Sequence, residues 1–318
     1  MTATTHPRVL IIAGGLTHER EISVRSGRRV ADMLRSAGCE VEISDLDERV
    51  LAELQDHRPD AVWPLLHGAT GEDGSVREVL QLAGVPYVGS TPAACRHTWD
   101  KPIAKDLVAQ AGVPTPESVA LPHSVFRELG AAKLLDMLRA RLGLPLAVKP
   151  ARGGSALGVS VVQDAAQLPG AMVDCFAYGD EALVERAVSG REVAASVVDL
   201  GEGPKVLPLV EIDTAGGPYD YDARYNTGRT EYFVPARLDE ATSETVVRHA
   251  LTAYDALGLR DIARFDFIVD TDGVPWFLEA NVAPGMTEVS LLPQAAQGAG
   301  HDLGKLYRQL VEAVIAHG

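Results

Sequence analysis

The chain has 318 residues, 46% of them hydrophobic and 23% charged, a composition that excludes a disordered, collagen-like or mucin-like polymer and, at roughly 150 residues per domain, allows about two domains. Lysine and arginine number 29 against 44 aspartates and glutamates, for a formal charge of −15. Neither nucleic acid nor an anionic membrane is therefore an expected partner, and any bound anion must be caught by a local cluster of donors.

Short β-rich runs alternate with helical stretches, the pattern of parallel α/β units. Val9 to Ala13 predicts a first strand, too short for a signal-peptide core or a membrane span, and Gly14-Gly15 a tight turn after it. A helix follows over Ile22 to Ala37, with Val24, Val30, Met33 and Leu34 on one face. Val41 to Leu46 and Ala61 to Leu66 predict further strands, and Val76 to Leu82 a short helix. Residues 1–95 thus form a small doubly wound α/β domain whose functional loops lie at the carboxyl ends of its strands. A helix near Lys101 to Ala111 and the extended Val113-Pro114-Thr115-Pro116 open a central sub-domain, residues 96–185. There Leu146 to Lys149, Val159 to Val162 and Leu183 to Val188 are strands, the first two joined by a glycine-rich loop. A C-terminal sub-domain, residues 186–318, carries strands at Glu192 to Leu200, Val206 to Ile212, Ala263 to Val269 and Trp276 to Asn281, and helices near Ala241 to Leu257 and Leu303 to Ala316. Thr214 to Glu231, rich in Gly, Tyr and Asp, has no clear periodicity and predicts a long loop of the kind that is either functional or disordered. Cys39, Cys95 and Cys175 contain no CxxC pair, so neither a zinc site nor a disulfide framework is indicated and a reducing cytoplasm fits.

Two constellations carry chemistry. Lys149-Pro-Ala-Arg-Gly153-Gly154-Ser155-Ala-Leu-Gly158 places a lysine at the end of a strand before three glycines and a hydroxyl. Glycines let backbone N–H groups approach an oxyanion, and the lysine adds a point charge for phosphate. It is not a Walker loop, because the lysine precedes the glycines, and a plain turn is the bland alternative. The second is Arg264-Phe-Asp266-Phe with Phe277-Leu-Glu279-Ala-Asn281. Alternate strand residues share a face, so Arg264 points with Asp266 and Glu279 with Asn281. Asp, Glu and Asn oxygens are hard ligands of the kind that hold Mg²⁺ against a polyphosphate. The rival reading is a buried ion pair of Arg264 with Asp266 or Glu279.

These stretches resemble the ATP-grasp superfamily and, within it, the D-alanine–D-alanine ligase family. The matching segments are Gly14-Gly-Leu-Thr-His-Glu19-Arg-Glu21, His67-Gly-Ala-Thr-Gly-Glu-Asp-Gly74, Asp100-Lys101, Lys149 to Gly158, Glu185-Arg-Ala-Val-Ser-Gly-Arg-Glu192, Tyr219-Asp-Tyr-Asp-Ala-Arg-Tyr225, Arg264-Phe-Asp266, and Glu279-Ala-Asn281-Val-Ala-Pro-Gly285-Met-Thr-Glu-Val-Ser290. They follow the family's order along nearly the whole chain. The resemblance implies an ATP-grasp fold: an N-terminal doubly wound domain and two α+β sub-domains that hold ATP between them. It also implies ligation of two D-alanines through an acyl phosphate, for peptidoglycan precursors, by a cytoplasmic homodimer. Mg²⁺, one or two ions with Mn²⁺ as a substitute, would accompany ATP.

Carried over by residue, the resemblance puts Lys101 and Lys149 on ATP phosphates and makes Ser155 and its glycine neighbours the flap over them. Glu185 and Glu192 would hold the adenine amine and the ribose hydroxyls, Arg224 would lie near the γ-phosphate, and Asp266, Glu279 and Asn281 would hold the metal. Arg264 and the Gly285 N–H would stabilise the tetrahedral oxyanion, and Ser290 would receive the second substrate's carboxylate. Glu19 would bind the first substrate's ammonium, His67 would lie beside substrate, and a Glu19, Ser155, Tyr225 set would close the long loop. Each has a bland counterpart: Glu19 and Glu21 as first-turn helix residues, His67 as a capping or packing residue, Tyr219, Tyr221 and Tyr225 as loop packing; Arg20 and Arg77 read as structural. The chain departs from the family pattern at Arg224 (usually lysine), Ala156 (a second flap serine), Val282 (threonine) and the bulky Arg96-His-Thr-Trp99. These departures leave the chemistry intact but leave open a paralogue joining other D-amino acids; a catalytically silent nucleotide-binding regulator is the non-enzymatic rival, disfavoured by the retained Arg264, Asp266, Glu279 and Asn281. A D-alanyl-D-lactate-forming enzyme is disfavoured by Tyr225.

Overall fold

The computed structural model describes residues 6–214 and 230–317. Thirteen strands among these residues form three sheets.

The first sheet is parallel, in the order β2-β1-β3 (Glu40–Asp45, Arg8–Ala13, Ala61–Pro64). Val9 and Ile11 face one side and Leu10 and Ile12 the other, all buried, as expected of a sheet covered on both faces. Helix α1 (Arg20–Ser36) contributes Val30 and Leu34 to the first face, and α2 (Arg49–Asp56) and α4 (Ser75–Leu82) contribute Val50, Leu54, Val76 and Leu80 to the second. Between them lies the one-turn α3 (Ala69–Glu72); α5 (Pro92–Trp99) and α6 (Lys101–Gln110) follow. Thr91 and Asp100 cap the last two by accepting the N–H groups of Ala94 and Ile103, each at 3.3 Å.

The second sheet is antiparallel, in the order β4-β7-β5-β6 (Ser118–Pro122, Glu181–Arg186, Leu146–Pro150, Ser160–Val162). Leu146, Val148, Val162, Ala182 and Val184 pack on α7 (His123–Leu129), α8 (Ala131–Leu142) and α9 (Leu168–Phe176) in a core of their own. The opposite face, with Ala147, Lys149 and Glu185, is turned to a cleft.

The third sheet follows the order β11-β10-β8-β12-β13 (Glu231–Phe233, Val210–Asp213, Gly190–Asp199, Ile262–Asp270, Pro275–Asn281), with β9 (Pro204–Val206) also on β8. The single strand expected over Val206 to Ile212 is thus two, because Pro208 has no N–H for the ladder and interrupts it. One face, with Ala195, Phe265, Phe267 and Phe277, packs on α6 and α10 (Glu240–Ala256). The other face packs on α11 (Leu291–Gly298) and α12 (Leu303–His317). The cluster over those two helices also contains Val9, Ile11, Val30 and Leu34, so the first and third sheets share one continuous core, with Trp63 edge-on to Tyr307 at 5.4 Å. The turn between α10 and β12 ties the same two parts together. Arg260 Nε donates to the Gly89 carbonyl at 2.6 Å, and Asp261 accepts the Gly89 N–H at 2.7 Å.

Among the described residues no helix is long and apolar enough to cross a membrane.

Candidate active site

Strand β12 sorts its residues by face. Ala263, Phe265, Phe267 and Val269 enter the core against α10, while Ile262, Arg264, Asp266 and Ile268 alternate onto the other face. Along that face Ile262 is still core, Arg264 lines a small cavity, and Asp266 and Ile268 line a larger one. The partner strand needs an irregularity to match. Asp266 stands opposite Glu279 and Arg264 opposite Asn281, but Phe267 stands opposite Phe277, leaving Leu278 as an extra residue. This bulge lets Phe277 stay in the core while Leu278 and Glu279 both line the larger cavity.

The larger cavity, about 760 Å³, lies between the second and third sheets. Its walls include Lys149, Glu185, Val161 and the loop residues Gly153, Gly154, Ala156 and Leu157 on one side, and Glu192, Asp266, Ile268, Leu278 and Glu279 on the other. The smaller cavity holds Glu19, His67, Glu72, Ser155, Arg264, Asn281 and Gly285. Lys101, Gly153, Gly154 and Glu279 line both, so the two chambers meet there. A small polar chamber thus opens onto one of nucleotide size.

Helix α1 anchors the smaller chamber. Glu19 sits at its N-cap position but makes no capping bond; its buried carboxylate accepts the Ser155 hydroxyl. One turn on, Ser23 accepts the Gly14 N–H at 2.7 Å and donates to the Leu65 carbonyl at 2.6 Å; Ser26 accepts the Met286 N–H at 3.1 Å. Positions 19, 23 and 26 share a helix face, so one helix fastens loops from three parts of the chain. Ser155 and Ala156 have φ of +52° and +56°, left-handed values held in a loop that carries the flap hydroxyl across to Glu19. At Gly285, a Cβ would lie 2.8 Å from Ser290 Oγ, so a side chain there would have to displace that hydroxyl. Ser290 Oγ in turn accepts the Thr287 N–H at 2.9 Å.

Charges are paired closely. Arg264 forms a two-pronged pair with Asp266, Nε and Nη2 each 2.8 Å from a carboxylate oxygen. Lys101 Nζ lies 3.6 Å from Glu279 and donates to the Gly153 carbonyl. Lys149 and Lys105 each contact Glu185, at 2.7 and 2.6 Å. His67 is pulled down to about 4 by burial and, less, by the Arg264 charge; its ring donates to the Ala283 carbonyl. The imidazole is therefore neutral at pH 7, and Nε2 has no hydrogen-bond partner among the described residues. Glu72 is pushed well above the ordinary carboxylate range, first by burial and then by Glu19. It accepts the Gly68 N–H at 2.8 Å. The two carboxylates flank one point: a Cβ at Gly154 would meet Glu19 Oε1 at 3.2 Å and Glu72 Oε1 at 3.9 Å.

Of the residues expected at a site, Glu19, His67, Lys101, Ser155, Arg264, Glu279, Asn281 and Gly285 come together in the smaller chamber, and Lys149, Glu185, Glu192 and Asp266 in the larger. Ser290 reaches it through Gly285. Arg224 and Tyr225, with Tyr219 and Tyr221, lie outside the described residues. The rival ion-pair reading of Arg264 and Asp266 describes their contact correctly, and the pair lies at the junction of the two cavities. Among the described residues no three His, Cys, Asp or Glu side chains already converge as a metal cluster. The hard-oxygen set of Asp266, Glu279 and Asn281 lies on two adjacent strands, with Asp266 directly opposite Glu279, a donor set that suits a polyphosphate-bound Mg²⁺. Arg20 and Arg77 are structural: Arg20 pairs with Asp45 and Arg77 donates to the Gly71 carbonyl. Sequence reasoning missed Lys105 and Glu72. Lys105 follows Lys101 by one helical turn, and Glu72 lies inside the His67 to Gly74 segment.

Comparison with known proteins identifies the family. Residues 44–90 match the family model for the D-ala D-ala ligase N-terminus and residues 107–312 that for the C-terminus. A D-alanine--D-alanine ligase of Bordetella petrii is 38% identical over 96% of this chain and 91% of its own length. The D-alanine--D-alanine ligase of Bacillus anthracis, solved complexed with ATP, superposes with a TM-score of 0.80 at 30% identity, covering 98% of both chains. The VanG D-Ala:D-Ser ligase of Enterococcus faecalis gives a TM-score of 0.82 at 26% identity over 97% of this chain and 99% of its own. Fold, cleft and full-length similarity together make this chain a member of the D-alanine–D-alanine ligase family, with the ATP-grasp fold.

Proposed function

We propose that the chain joins two D-alanine molecules to D-alanyl-D-alanine at the expense of ATP, as a cytoplasmic enzyme supplying peptidoglycan precursors. The observation that carries this reading is the meeting of a nucleotide-sized cavity and a small polar chamber at Lys101, Gly153, Gly154 and Glu279.

The γ-phosphoryl group passes to the carboxylate of the first D-alanine, giving an acyl phosphate and ADP. The amine of the second attacks the acyl carbon, and phosphate leaves. No protein nucleophile is needed, so catalysis rests on positioning and on charge placed where it develops. Lys101 and Lys149 face the polyphosphate, and Glu185 and Glu192 face the nucleoside. Glu19 takes the first ammonium, Arg264 and the Gly285 N–H take the oxyanion, and Ser290 takes the second carboxylate. Neutral His67 offers an acceptor lone pair rather than a charge. The Ser155 flap, fastened to Glu19, excludes water from the acyl phosphate. Asp266, Glu279 and Asn281 would hold Mg²⁺, which would neutralise polyphosphate charge. The chain divides into an N-terminal unit, 1–95, a central one, 96–185, and a C-terminal one, 186–318; the active form is a homodimer.

Purified protein given Mg²⁺, ATP and D-alanine should release one ADP and one phosphate per D-alanyl-D-alanine. Parallel reactions with D-serine or D-lactate as the second substrate read out the specificity. Phosphate release with no dipeptide from any D-amino acid would overturn the reading, and preference for another D-amino acid would replace its substrate.

A further inference from the structure

Lys105 lies on α6 behind the wall of the larger cavity. Its side chain is 3% exposed, against 10% for Lys149. Between them stands the carboxylate of Glu185, 4% exposed, with Oε2 at 2.6 Å from Lys105 Nζ and Oε1 at 2.7 Å from Lys149 Nζ. Lys149 and Glu185 line the cavity, whereas Lys105 touches it only through Glu185. A carboxylate held by one ammonium on each oxygen leaves the triad with one net positive charge. With Lys105 neutral or absent, Glu185 and Lys149 cancel, and the cavity wall no longer attracts an anion.

We propose that Lys105 is a positioning residue for ATP: by neutralising Glu185 from behind, it leaves the charge of Lys149 available to a phosphate and fixes the carboxylate that faces the nucleoside. This rests on the reading of the larger cavity as the ATP site. The groups facing Lys105 are Glu185 from β7, Lys149 from β5 and Asp106 on its own helix. One turn earlier on α6, Lys101 faces Glu279 of β13. Helix α10 brings Val246, Ala250, Ala253 and Tyr254 into the core it shares with α6, the buried Tyr254 hydroxyl being pushed up and so uncharged at neutral and mildly alkaline pH. Burial outweighs the attraction of Glu185 and pulls Lys105 down to about 8. The wall therefore carries its net charge at neutral pH and loses it in mildly alkaline solution.

The test measures ATP binding by calorimetry, and KM for ATP against kcat, from pH 7 to 9 in the wild type, Lys105→Met and Lys105→Arg. At pH 7.5 Lys105→Met should bind ATP about tenfold more weakly, the order expected of one unit charge at this depth, with kcat at saturating ATP much less affected. Wild-type affinity should fall through pH 8 toward the Lys105→Met value. Lys105→Arg, which stays charged, should hold its affinity across the range. A folded Lys105→Met that binds ATP as the wild type does would overturn the inference. So would a wild-type profile flat from pH 7 to 9, or one that Lys105→Arg follows in parallel. The last two comparisons decide the matter even if Lys105→Met fails to fold. Absence of ATP binding by the wild type would instead overturn the reading of the cavity itself.

Discussion

Replacing Arg264 by alanine removes two things at once, and the structure allows each to be sized. The guanidinium is a fixed donor at the mouth of the smaller chamber, and losing one such donor lowers kcat by about 10²–10³, or roughly 2.7–4 kcal/mol of transition-state stabilisation. It is also the partner of Asp266, in a pair whose side chains are only 9% and 6% exposed. Removing one member of so buried a pair costs about 3–5 kcal/mol of folding stability. Both losses should appear in Arg264→Ala: a lower thermal midpoint, and a kcat fall of about 10²-fold or more with a modest change in KM for ATP. Lysine at 264 restores a charge near Asp266 but not the planar two-pronged donor, so Arg264→Lys should recover stability more than rate. The assay follows ADP release and dipeptide formation at saturating D-alanine while ATP is titrated, beside a thermal melt of each variant. A folded Arg264→Ala with kcat within about tenfold of the wild type would refute the oxyanion assignment. A defect confined to KM for ATP would refute it equally.

Ser155→Ala removes a hydrogen bond to a carboxylate, worth about 1.5–3 kcal/mol, and should lower kcat/KM for D-alanine by about 10- to 100-fold while raising the ratio of phosphate to dipeptide; an unchanged ratio would remove the flap from the mechanism. Glu72 is protonated more readily in the fold than in the unfolded chain, so wild-type stability should decline as pH rises above about 4.5. Glu72→Gln should lack that decline and melt higher at pH 8.5, by about 1–3 kcal/mol of stability, whereas parallel melting curves from pH 5 to 8.5 would show that Glu72 ionises normally. Arg260→Ala loses the bond to the Gly89 carbonyl and the stacking over Tyr87 at 4.6 Å. It should lower stability by about 1–2 kcal/mol with kcat unchanged, and an unaltered midpoint would show that the clasp carries no energy.

Much of this was legible in the sequence because it is local. Apolar alternation places Arg264 and Asp266 on the face opposite Phe265 and Phe267, and the glycine run after Lys149 marks a loop. The family resemblance supplied roles for these positions. What escaped was set by partners distant in sequence. Lys105 reads as one more lysine on an amphipathic helix until Glu185, 80 residues later, is folded against it. Glu72 sits unremarked within the segment from His67 to Gly74, and its perturbation comes from burial beside Glu19. The bulge at Leu278 is invisible because strict alternation already carries Phe277 and Glu279 to a common face. Only the register against β12 shows that they part. The split at Pro208 was readable in principle, since proline interrupts a ladder, but the apolar run around it hid the break.

The shared core of the first and third sheets bears on synthesis. The face of the first sheet that carries Val9 and Ile11 is covered in part by the neighbouring α1, and the covering is completed only by Leu306, Tyr307, Leu310 and Val311, near the far end of the chain. Domains usually fold in the order they leave the ribosome; here the first sheet can pack on its own helices early, but the core it shares with the third sheet is complete only with residues 303–317. Shortening the polypeptide before Leu303 should therefore unravel the region around Val9 as readily as its immediate neighbours. Nascent chains stalled there should be hungry for chaperones.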